Sequence, residues 1–107
     1  MRKIIDMRHT LSTTFLVVEE VANEWIVWMK FNYIEAIKKS GLAENLYFNQ
    51  VIGAEQEGGL TFSVLAVFSN KQQEQTFLDT LDFELTNQIN KTFPNKVYPF
   101  RTNLQEV

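Results

Sequence analysis

From Ala22 to Ile37, apolar side chains recur at Ala22, Trp25, Ile26, Met29, Tyr33 and Ile37. Spacings of three and four put them on one face of an α-helix. Both tryptophans of the chain fall in the stretch NEWIVWMKFNYIEAI, residues 23–37, so the rest of the chain must supply a surface that buries a large aromatic stripe. Glu19, Glu20 and Glu24 stand at its start and Lys38 and Lys39 at its end, which complements the helix dipole. Gly41 is placed to cap it. Val27, Phe31 and Ile34 form a smaller apolar patch off that face, to be covered by a loop or the N-terminal leader, or by a second subunit.

The segments around this helix read as strands. Leu11 to Val18, LSTTFLVV, is rich in β-branched and aromatic residues and apolar on both faces, which favours a central position. A second strand is expected from Glu44 to Glu55, with Leu46, Phe48 and Ile52 on one side and Tyr47, Asn49 and Val51 on the other. Glu57-Gly58-Gly59 supplies a hairpin turn. Leu60 to Phe68 alternates Leu60, Phe62, Val64, Ala66 and Phe68 against Thr61, Ser63, Leu65 and Val67. Ser69 or Asn70 caps a second helix with a stripe of Phe77, Leu78, Leu81, Leu85 and Ile89, which Pro94 ends. The last strand, Lys96 to Leu104, alternates Tyr98, Phe100, Thr102 and Leu104 against Val97, Pro99, Arg101 and Asn103. Pro99 cannot donate to a ladder, which argues for an edge.

The order β-α-β-β-α-β is that of an α+β, ferredoxin-like split βαβ sandwich. Right-handed crossovers predict an antiparallel sheet of order 4-1-3-2 with both helices on one face. At 107 residues the chain is expected to form a single domain over residues 11–107, after a leader at residues 1–10.

Composition narrows the function classes. There is no cysteine, so disulfides and thiolate metal sites are excluded. The net charge is −3 and the basic residues form no stripe, which argues against nucleic-acid binding. No apolar run approaches the length of a membrane span, and the N-terminus lacks the apolar core of a signal peptide. A soluble, cytoplasmic protein is expected, with no metal and no cofactor. The one histidine, His9, lies in the leader and makes a poor basis for a triad or haem ligation. Asp79, Asp82 and Glu84 lack convergent spacing and read as a solvated helix face. The paired tryptophans read as core rather than as a ligand cage.

At Trp25-x-x-Trp28-Met29, Glu57-Gly58-Gly59-x-Thr61 and Phe100-Arg101-Thr102 the chain resembles a bacterial domain-of-unknown-function family of short ferredoxin-like proteins. The likeness runs from about Leu11 to the C-terminus. It implies a dimeric α/β barrel with no assigned activity. Two departures stand out: Tyr33-Ile34-Glu35 occupies the place of a His-x-Pro segment common in that family, and Val27 and Phe31 stand where its members tend to be polar. No role resting on that histidine carries over.

A ferredoxin-like sheet has helices on one face only. If the more apolar alternates of the second, third and fourth strands face the helices, then Tyr47, Asn49, Val51, Thr61, Ser63, Leu65, Val67, Arg101 and Asn103 remain on the open face. Three of these are aliphatic, so a cover is expected, and a second subunit's sheet would provide it. Tyr47, Asn49, Ser63 and Arg101 are the candidate ligand-binding residues, with Arg101 either fixing an anion or pairing with a carboxylate. The leading expectation is a homodimer with room for a small ligand on the open sheet face. The alternative is a cofactor-independent dimeric-barrel enzyme, a monooxygenase or isomerase acting on a small apolar acid, which rests on fold analogy.

Overall fold

The computed structural model describes residues 7–54 and 58–107. Four strands, β1 (His9–Val18), β2 (Asn45–Gln50), β3 (Gly59–Phe68) and β4 (Val97–Gln105), form one sheet in the order β2-β3-β1-β4. Read from the other edge, this is the expected 4-1-3-2. Every neighbouring pair is antiparallel. β1 starts at His9, so two residues assigned to the leader belong to the sheet. The rest of the leader up to Asp6 lies outside the described residues. β2 is shorter than expected, because the chain turns at Ile52 and Gly53 and leaves Ile52 81% exposed rather than aligned with Phe48. Glu55 and Glu57 lie outside the described residues. Gly58 has the positive φ (76°) anticipated for the hairpin.

The first helix opens with a 3-10 turn at Glu19–Val21, continues as α-helix over Ala22–Trp28, widens to a π turn at Met29–Tyr33 and resumes as α-helix over Ile34–Ser40. Gly41 closes it in the left-handed conformation, φ 69°. The second helix repeats the plan: Lys71–Phe77, a π turn at Leu78–Asp82, then Phe83–Thr92. Asn70 is its cap, and its side chain accepts a hydrogen bond from the Gln73 amide at 2.9 Å.

Both helices pack on the face of β1 carrying Leu11, Thr13, Phe15 and Val17, all buried. Trp25 is fully buried against Phe15, Phe48 and Phe62, with ring centroids 5.3, 5.7 and 5.0 Å away. Burying a side chain of this size contributes about 3 kcal/mol. Phe68 and Phe77 join β3 to the second helix at 5.4 Å. Ile34, expected in the surface patch with Val27 and Phe31, is buried at 8% exposure, while Val27 and Phe31 stay out at 55% and 74%. Along its shortest axis the molecule measures 18 Å, the thickness of one sheet and one helix layer. Among the described residues no element covers the other sheet face.

Candidate functional site

Directly opposed residues of antiparallel strands project to the same side, so the register gives the open face row by row. One row runs Asn45, Val67, Thr10, Leu104. The next runs Tyr47, Leu65, Ser12, Thr102, and after it Asn49, Ser63, Thr14, Phe100. Thr61, Leu16 and Tyr98 follow, before Val18 at the sheet's end. None of these side chains carries a formal charge. Tyr47, Tyr98, Phe100 and Leu104 are each about half exposed, at 50, 50, 57 and 49%.

Charges gather at the two ends instead. Arg8 pairs with Glu44 and, at 3.7 Å, with Glu106 at one end, and Lys96 pairs with Glu20 at the other. These pairs hold the Arg8 guanidinium and the Lys96 ammonium above their ordinary values, chiefly through the hydrogen bonds to Glu44 and Glu20. An uncharged aromatic and aliphatic centre with an ionic rim is the anatomy of a protein–protein contact surface.

β4 presents the face opposite to that expected. Its register sets Val97, Pro99, Arg101 and Asn103 against Val17, Phe15, Thr13 and Leu11, which all point at the helices. Arg101 therefore does not lie on the open face. Its Nε sits 2.9 Å from Asp82 Oδ2, and Nη2 donates to Asp82 Oδ1 at 3.2 Å and to Thr86 Oγ1 at 2.6 Å. Asp82 is buried at 7% exposure, a correction to its reading as part of a solvated helix face. Asp82 closes the π turn, and Leu81 beside it is half-buried against the core. Tyr33, at the end of the other π turn, completes this internal group. Burial first, then the Asp82 carboxylate, push its phenol well above the ordinary value, while Arg101 and a side-chain hydrogen bond with Thr13 pull against them.

Of the candidate ligand residues, Tyr47, Asn49 and Ser63 do share one corner of the open face, with Asn49 opposite Ser63. Arg101 is on the far side of the sheet from them. Sequence reasoning missed Tyr98, Phe100, Leu104 and Leu16 as members of that face. A depression of about 210 Å³ lies at the Val18 end, lined by Leu16, Val18, Gly58, Gly59, Thr61 and Tyr98. Its two hydroxyls are committed, since Thr61 Oγ1 donates to the Ala54 carbonyl at 3.3 Å and the Tyr98 hydroxyl to the Asn95 carbonyl at 2.9 Å. Among the described residues no group of three or more His, Asp or Glu side chains converges as a metal site would. No described helix is long and apolar enough to cross a membrane.

Comparison with solved structures adds the fold context. A dimeric ferredoxin-like protein from an uncultured marine organism is similar, with a TM-score of 0.71 at 11% identity, over 94% of this chain and 96% of that one. The de novo designed protein Foldit4 is similar at a TM-score of 0.61 and 12% identity, over 94% of this chain and 99% of its own. At these identities the likeness is one of fold. A comparison with curated proteins finds no match. The family model for a domain of unknown function, DUF4286, matches residues 8–107, from the rim arginine through the last strand, and the chain belongs to that family.

Proposed function

We propose that this domain works as a homodimer, two copies pressing their open sheet faces together. The observation that carries the reading is the charge-free face built by all four strands, with Tyr47, Leu65, Tyr98, Phe100 and Leu104 standing out of it and no element of the described chain over it. Strands about 4.8 Å apart and rising about 3.4 Å per residue give such a sheet roughly 500 Å² of plan area. Protruding side chains and the rim bring the accessible area toward the ~800 Å² per partner of a standard interface. That the marine ferredoxin-like protein is described as dimeric agrees with the reading.

Two facing sheets would also enclose the depression beside Tyr98 and the corner at Tyr47, Asn49 and Ser63. A ligand held there would be small, neutral and mostly apolar, because neither place offers a charge to pair with an ion. The enzyme alternative has no observation in its favour on this face, where Arg101 is absent and, among the described residues, tyrosine hydroxyls are the sole ionisable groups. Native mass spectrometry tests the proposal through the subunit count and any retained mass. A dimer is expected, and a monomer at tens of micromolar would overturn it.

A further inference from the structure

The free edge of β2 runs beside a groove that the dimer reading leaves unused. The Val51 amide bonds to the Thr61 carbonyl at 2.9 Å, so with the β2–β3 register Asn45, Tyr47 and Asn49 turn their backbone groups toward β3. Leu46, Phe48 and Gln50 then aim theirs outward, where no strand of the described residues follows. Above that edge the first helix overhangs, and a hollow of about 400 Å³ opens between Lys30, Ile34 and Lys38 on the helix and Leu46 and Phe48 on the strand. It continues toward Ala43 at one end and Gln50 at the other. Its floor is apolar. Its lip carries two exposed lysines, neither of which has an ion-pair partner among the described residues.

From this geometry we infer that β2 takes up an extended acidic peptide segment as a fifth strand. Backbone hydrogen bonds to Leu46, Phe48 and Gln50 provide the attachment, and alternate side chains of the guest enter the groove. The lysines set the pattern. They are eight residues apart on the helix, about 12 Å at 1.5 Å per residue. Positions four apart on a strand are about 13.6 Å apart. The guest therefore reads acid-x-apolar-x-acid, the apolar side chain seated on Ile34, Leu46 and Phe48. A second copy of this chain fits the edge poorly. Two β2 strands paired about a twofold axis would bring both copies' Lys30 and Lys38 onto the same side of the joined sheet, facing each other; β2 has no acidic residue to answer them, and Glu44 just ahead of it is already paired with Arg8.

The test is fluorescence anisotropy with a labelled peptide containing Glu-Thr-Val-Thr-Glu, against a control containing Lys-Thr-Val-Thr-Lys, titrated with the full chain. The acidic peptide is expected to bind at least tenfold more tightly than the control. The exposed double substitution Lys30→Glu/Lys38→Glu should reverse that preference while leaving the circular dichroism spectrum unchanged. N-methylation of alternate peptide amides in the strand-pairing register should abolish binding. Equal affinity for both peptides, or acidic-peptide binding that survives the double substitution, would overturn the inference. So would an assembly through β2 that the peptide cannot displace, since that would give the edge to a second copy. The result is separable from the dimer proposal, because the open-face dimer should persist in sedimentation whether or not peptide binds.

Discussion

Arg101 and Asp82 show how one residue changes meaning with its side of the sheet. On the open face Arg101 would be a ligand group, but facing the helices it satisfies a buried carboxylate with an ion pair and a hydrogen bond. Arg101→Ala should therefore cost about 2 kcal/mol of stability, since it strands Asp82 while the arginine itself keeps some solvent contact. Urea denaturation measures this, and the dimer should be unaffected. Glu74 makes the opposite case. It is buried at 6% exposure, with one carboxylate oxygen unpartnered among the described residues, and burial raises its pKa against the pull of His9 and then Lys71. A carboxyl whose folded pKa is raised binds its proton more tightly when folded. Its contribution is fully present below the unfolded value and is lost as pH rises through the folded one. Glu74→Gln should thus stabilise the protein by about 1 kcal/mol at pH 7 and by little at pH 4, as thermal melts at the two values would reveal.

The helices and β4 mark how far the elements can be read from sequence. The first helix was legible because its stripe is long and its ends carry the right charges. The π turns were not anticipated, yet their signal is present. Trp25, Met29, Tyr33 and Ile37 recur at every fourth residue, as do Phe77, Leu81, Leu85 and Ile89. On an ideal helix such a stripe drifts about 40° per step. A wider turn absorbs the drift, and each helix has one at mid-length. The cap was readable as Ser69 or Asn70, the structure gives it to Asn70, and Asn70→Ala should cost about 1 kcal/mol in thermal or urea melts by freeing the Gln73 amide. β4 misled because its more apolar alternate was assigned to the helices. That rule holds where one face is wet. It fails here because pairing with β1 sends Tyr98, Phe100 and Leu104 outward, and only Val97 of this strand is buried.

At the scale of the molecule, that failure strengthens the association argument. The expected open face had three aliphatic residues and an arginine. The observed one exchanges the arginine for two aromatic rings and a leucine, and it keeps charge at its ends. Fold and strand order were legible because periodicity and turn chemistry pointed the same way along the whole chain. The composition of the candidate face was not, because it depends on the register of an edge strand. The most direct test is sedimentation velocity of the natural chain beside Phe100→Glu, with circular dichroism as the check on folding. Since a twofold interface carries each substitution twice, two losses of about 2 kcal/mol weaken it roughly a thousandfold. The account predicts a dimer that becomes a folded monomer. A natural chain that sediments as a monomer, or a Phe100→Glu dimer as tight as the original, would contradict it.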